Sequence, residues 1–131
     1  MPKRVLIVED EPSVRNAVRV FLEHQSPLEV CGEAANGVEA VDKANALQPD
    51  LIILDLSMPH MNGIEAASLL RSRVPNTPIV VYTMFGDVLG KQLAAALGVA
   101  AIVSKSDGLA VLLARIEALL ESNTLVQPPA A

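Results

Sequence analysis

The sequence predicts an α/β domain with a doubly wound parallel sheet, and three observations carry that prediction. Short apolar runs recur as Val5-Leu6-Ile7-Val8, Leu51-Ile52-Ile53-Leu54 and Ile79-Val80-Val81-Tyr82. They are continuous rather than alternating, as strands covered on both faces must be. Between them lie segments with apolar residues at helical spacing, so strand and helix alternate five times. Right-handed crossovers then place helices on both faces of one sheet.

Each element follows from its own residues. The first strand stops at Glu9-Asp10-Glu11, and Pro12 stands where a helix's first turn accepts proline. Val14, Val18, Phe21 and Leu22 mark the inner face of that helix, which Ser26-Pro27 breaks. Leu28 to Glu33 reads as a weaker strand nearer an edge. Asn36-Gly37 forms a turn, and Val38, Val41, Ala44 and Leu47 define a second helical face, closed by Pro49. A polar loop from Asp55 to Gly63 follows the second apolar run. A third helix then shows Ile64, Ala67, Leu70 and Val74, ending at Pro75. After Tyr82, Gly86-Asp87 opens a helix through Leu97, with Gly98 as its terminal glycine. Ala101-Ile102-Val103 is a short strand. The last helix spans Gly108 to Ser122, with Leu109, Leu112, Leu113, Ile116, Leu119 and Leu120 inward. Residues 1–122 are expected to form the domain, and 123–131, with Pro128-Pro129, a disordered tail or the start of a linker.

Composition bounds what such a domain does. The 131 residues are 51% hydrophobic, 19% charged and 2% aromatic. One aliphatic core is expected, and disorder is excluded by the abundance of Leu, Ile and Val. The formal net charge is −5, and the scattered basic residues make no face for nucleic acid or for a membrane surface. No apolar stretch has the length of a signal peptide core or a membrane span. The lone cysteine, Cys31, cannot close an intrachain disulfide and reads as a buried structural thiol. A soluble cytoplasmic protein is the expectation.

In doubly wound sheets ligands bind outside the carboxyl ends of the strands, where strand order reverses. Glu9 and Asp10 end the first strand, Asp55 the third, Thr83 the fourth and Ser104-Lys105 the fifth. Clustered carboxylates repel one another, and a hard divalent cation relieves that cost, Mg²⁺ preferring oxygen ligands and retained waters. A metal, a lysine and a hydroxyl around one carboxylate make an environment for phosphoryl transfer, with Asp55 as nucleophile. Each residue alone has a plainer reading. Asp55 could merely cap the next helix, Thr83 could cap the helix near Asp87, and Lys105 could be a solvated surface lysine. His24 and His60 lack partners at ligand spacing and are set aside.

Val5 to Asp10, Asp55 followed by Met58-Pro59 and Asn62-Gly63, Thr83, and Lys105 together resemble the receiver domain of bacterial two-component response regulators, the CheY-like superfamily. The resemblance covers about residues 3–122, with every motif in order at a strand end. It implies a flavodoxin-like (βα)₅ fold of strand order 2-1-3-4-5. It further implies that Asp55 accepts a phosphoryl group from a sensor histidine kinase or phosphotransfer protein. Glu9 and Asp10 would hold Mg²⁺, Asp10 directly and Glu9 through water, with the Ser57 backbone carbonyl completing the protein ligands. Lys105 would pair with one phosphoryl oxygen and Thr83 would swing in to bond another. That motion would reshape the face made by the fourth helix, fifth strand and fifth helix. With Lys91, Ala94-Ala95-Ala96 and the outer side of the last helix, this face is nearly uncharged and suits a homodimer or docking partner.

Departures from the family pattern sharpen the expectations. Where many receivers carry an aromatic residue three positions before the lysine, this chain has Ile102. Met84 stands where a small residue is common, and Phe85 adds bulk, so slow hydrolysis of the phospho-aspartate is expected. Two alternatives stay open. A degenerate receiver would bind partners without phosphorylation, consistent with Ile102 and Met84. A haloacid-dehalogenase-type phosphohydrolase would want a second Asp where Ser57 stands. The spacing near Thr83 resembles receivers of the NarL/FixJ type, in which transcriptional control resides in a further domain.

Overall fold

The computed structural model describes residues 2–56, 63–84 and 94–126, with residues 122–126 by backbone only. Five parallel strands form one sheet: β1 (Arg4–Val8), β2 (Glu29–Ala34), β3 (Leu51–Leu54), β4 (Ile79–Thr83) and β5 (Ala101–Ser104). Their order is β2-β1-β3-β4-β5, the order expected. The described helices are α1 (Pro12–Gln25), α2 (Gly37–Leu47), α3 (Gly63–Arg73), the helical residues 94–97 (α4) and α5 (Leu109–Val126).

The apolar runs behave as buried strands because both faces are covered. Along β1, Val5 and Ile7 point into one core with Val18 and Leu22 of α1 and Leu112 and Ile116 of α5. Leu6 and Val8 point the other way, against Ala40 and Ala44 of α2 and Ala66, Ala67 and Leu70 of α3. This is the period-two alternation of a strand, invisible in sequence because both sides are apolar. β2 lies at an edge and is only partly buried, which accounts for its weaker pattern.

Two helix faces differ from the expected ones. Val41, Ala44, Ala67, Leu70 and Val74 are buried as expected, but Val38 and Ile64 are each 50% exposed, and Ala40 and Ala66 take the remaining inward positions. α2 and α3 pack side by side on one face of the sheet. Small alanines at the contact let the helices settle close to the strands, while the bulkier Val38 and Ile64 are left toward solvent. Asn36 is the N-cap of α2 rather than a free turn, its side chain accepting from the Glu39 N–H at 2.9 Å. Gly98 has φ +72, as a helix-terminating glycine should. α5 runs on to Val126, past the expected end at Ser122. Gly86-Asp87, Lys91 and the 127–131 stretch lie outside the described residues.

Candidate functional site

The sheet order reverses between β1 and β3, so the carboxyl ends of these two strands open one crevice. Their ladder is continued past the last strand residues. The Asp55 N–H donates to the Val8 carbonyl at 3.0 Å, and the Glu9 N–H donates to the Ala34 carbonyl at 2.9 Å. Glu9 and Asp55 are thus delivered side by side by backbone pairing, each with 4% exposure, while Asp10 reaches solvent. Carboxylate oxygens of Glu9, Asp10 and Asp55 all lie within 4.8 Å of one another.

Lys105 enters from the far end of the sheet. It follows β5 and begins a short 3₁₀ turn, Lys105–Asp107. Its Nζ donates to Glu9 Oε1 at 2.7 Å and stands 3.8 Å from Asp55 Oδ2. Burial works against its charge, but the Glu9 bond and the nearby Asp55 and Asp10 charges hold the ammonium pKa above its ordinary value. Burial raises the Glu9 carboxyl to about 7; Lys105 pulls against that rise and the Asp55 charge adds to it. Among the described residues, one lysine meets three carboxylates here, which leaves that cluster short of positive charge. The other Glu9 oxygen accepts from the Glu11 N–H at 3.2 Å.

Thr83, the last residue of β4, is 1% exposed and pairs in register with Ser104 of β5. Met84, immediately after it, is 69% exposed. Ile102 is partly buried against the core on the α2–α3 side. Glu9, Asp10, Asp55, Thr83 and Lys105 therefore all sit at the carboxyl end of the sheet. Ser57, His60 and Phe85 fall outside the described residues. His24 is exposed, with a ring nitrogen 3.0 Å from the Val20 carbonyl. Cys31 is half-buried with its thiol on the Val5 carbonyl at 3.5 Å, and burial pushes its pKa up, the mark of an unreactive thiol.

Sequence reasoning passed over one residue at this site. Arg15, on the first turns of α1, reaches back so that Nη1 donates to the Glu9 carbonyl at 2.8 Å. Its Nε donates to Glu33 Oε1 of β2 at 3.2 Å. The signal was faint: a basic residue one turn inside the helix that follows an acidic strand end.

Known proteins resemble this chain in sequence and in fold. The chain is 40% identical over 85 residues to the response regulator protein VraR of Staphylococcus saprophyticus. That alignment takes in 65% of this chain and 41% of the relative, so the chain spans less than half of that protein's length. Among solved structures, a LuxR-family two-component response regulator from Aurantimonas superposes with a TM-score of 0.85 at 32% identity, over 93% of this chain and 87% of that one. The response regulator domain of Thermotoga maritima CheB gives 0.81 at 27% identity, over 98% of this chain and all of that one (100%). No described helix is long and apolar enough to cross a membrane. The family model for the response regulator receiver domain matches residues 5–117, a span that runs from β1 into α5 and takes in all five strands. With the sheet order and the strand-end acids in agreement, the chain belongs to the response regulator receiver family of two-component signalling.

Proposed function

We propose that this receiver is a phosphorylation-controlled switch in which Asp55 accepts a phosphoryl group from the phosphohistidine of a sensor kinase or phosphotransfer protein, with Mg²⁺ present. The observation that carries this reading is the Asp55 carboxylate, buried at a strand end between a lysine and two further acids. One Asp55 oxygen attacks phosphorus, the O–P bond forms, and the N–P bond to the donor imidazole breaks, its electron pair returning to the ring.

The remaining residues act around that step. Asp10, exposed beside the other acids, would ligate the cation directly, and Glu9 would act through water; the Ser57 backbone carbonyl is assigned the last protein ligand. The donor set is all oxygen and anionic, which suits Mg²⁺. When bound, the cation neutralises charge on the phosphoryl oxygens. Lys105, 3.8 Å from Asp55, supplies a second positive charge on the same side. Thr83 offers a hydroxyl at the end of β4. Because it pairs with Ser104, its displacement is transmitted into β5 and the face shared with α4 and α5. That face, to which Ala94–Ala96 are assigned, is where a homodimer or a docking partner would sense phosphorylation. The chain is read as a cytoplasmic signalling module, not a turnover enzyme, with acceptance and loss of its own phosphoryl group as its chemistry. It makes no nucleic-acid contact itself; a regulator of transcription would use another domain of a longer protein.

Incubation with acetyl phosphate or beryllofluoride and Mg²⁺ tests this. A +1 phosphoryl adduct, or a beryllofluoride-induced spectral shift, is expected in the wild type and absent in Asp55→Asn. No Asp55-dependent change would overturn the reading. It would instead favour a phosphorylation-independent interaction module, for which the aliphatic Ile102 at the switch position is the supporting observation.

A further inference from the structure

Arg15 sits outside the set of acids and lysine that would meet metal or phosphoryl group, yet it grips the chain between them. The Glu9 carbonyl it holds belongs to the same rigid peptide plane as the Asp10 N–H. Fixing that oxygen fixes the peptide plane through which Asp10 leaves β1, and so restricts where the Asp10 Cα and its side chain can be carried. The grip has its own anchor. Glu33, the neighbour of Ala34 on the edge strand, takes Arg15 Nε at 3.2 Å through one oxygen and Arg19 Nε at 3.4 Å through the other. Lys43 of α2 donates to the Glu33 backbone carbonyl. The backbone is therefore held on both sides of the Glu9 Cα: the preceding peptide through the Glu9 N–H by Ala34 of β2, and the following one through the Glu9 C=O by an arginine tied to the adjacent residue of that strand.

We propose that Arg15, braced by Glu33, is a positioning residue that preorganises Asp10 for the divalent cation. The proposal rests on the metal reading above and deepens it. Its sign separates it from simple electrostatics. A positive guanidinium near a cation site repels the cation, so a role through charge alone predicts tighter Mg²⁺ binding when Arg15 is neutralised. Positioning predicts weaker binding. A lysine keeps the charge but has one nitrogen, which cannot hold the Glu9 carbonyl and Glu33 in the fork geometry of arginine.

Mg²⁺ titration without any phosphodonor reads this directly. The chain has one Tyr and no Trp, so its tyrosine emission reports from Tyr82, the neighbour of Thr83 on β4. Arg15→Lys and Arg15→Gln are expected to weaken Mg²⁺ binding about tenfold, the low end for residues that orient metal ligands. Glu33→Gln should weaken it less, in the same direction. Arg19→Gln, which breaks the other Glu33 pair without touching Glu9, should bind as wild type. In the metal-free protein the Asp10 amide resonance should move in Arg15→Lys and stay in place in Arg19→Gln. Wild-type Mg²⁺ affinity and an unmoved Asp10 amide in Arg15→Lys would overturn the inference, as would equal losses in Arg15→Lys and Arg19→Gln. Asp10→Asn distinguishes the two levels. If it leaves Mg²⁺ affinity unchanged, the metal reading itself fails; if it weakens binding while Arg15→Lys does not, only the positioning role is lost.

Discussion

Glu9→Gln should make the metal-free protein more stable at alkaline pH while impairing its site. The wild-type carboxyl sits at about 7 against an ordinary 4.5, so its folded-state pKa is raised. A raised carboxylic acid favours the fold in its protonated form; that contribution is lost as pH rises from the unfolded value through 7. The difference in pKa corresponds to about 3 kcal/mol of unfavourable ionisation once both states are charged. Glutamine removes this cost but also replaces the charge-assisted bond to Lys105 at 2.7 Å with a neutral one, giving back about 1 kcal/mol. A net gain of about 2 kcal/mol at pH 8.5 follows. At pH 5.5 the wild-type residue is largely protonated in the fold, and the gap should close by a similar amount, about 2 kcal/mol. Urea unfolding followed by far-ultraviolet circular dichroism, with a chelator present, measures both. A variant less stable than wild type at pH 8.5, or a gap independent of pH, would refute the reasoning.

Other perturbations have equally definite signs. Gly63→Ala gains little helix propensity at the first residue of α3, and its Cβ would lie 2.5 Å from the Asp55 carbonyl oxygen and closer still to Leu56 Cα. Backbone cannot yield cheaply, so urea unfolding should show a net loss of about 2 kcal/mol, and Asp55 should take up acetyl phosphate more slowly. Asn36→Ala removes the α2 cap, in which Glu39 also reaches back to the Ala35 N–H at 3.1 Å; a loss of about 1 kcal/mol is expected in the same assay. The aspartyl phosphate, in a chain where Met84 and Phe85 follow Thr83 in sequence, should outlast minutes in Mg²⁺ buffer and decay faster in Met84→Ala; decay of the wild-type adduct within seconds, measured by intact-protein mass spectrometry, would contradict this.

What could be read from the sequence follows from which physical signals are local. β1, β3 and β4 were legible because burial on both faces writes itself as an unbroken apolar run. The acids were legible because a charged residue directly after such a run must leave the sheet at its carboxyl edge. Val38 and Ile64 were misread as inward because hydrophobicity was weighed above size, whereas the α2–α3 contact selects small Ala40 and Ala66. Arg15 and Glu33 stayed hidden because their meeting depends on the β1–β2 register, which pairs Ile7 with Glu33. No spacing within α1 or β2 alone encodes it.

The pairing of Lys105 was the least legible feature and changes how the site works. Separated by 96 positions in sequence, Glu9 and Lys105 meet only through the strand order of the sheet. The lysine that family resemblance assigns to a phosphoryl oxygen on Asp55 is held more closely by Glu9, at 2.7 Å against 3.8 Å. Two acceptors compete for one cation, and Glu9 wins while it is ionised. Whatever neutralises Glu9, whether a proton, an amide or a bound cation, weakens the nearer contact and leaves Asp55 as the stronger partner. Charge arriving at the acidic pair and the readiness of Lys105 beside Asp55 are therefore coupled through one carboxylate. On the proposed function, the burial that makes Glu9 costly to ionise would make that coupling steep, so the residue whose ionisation opposes the fold would be the one that links cation binding to phosphoryl acceptance by Asp55.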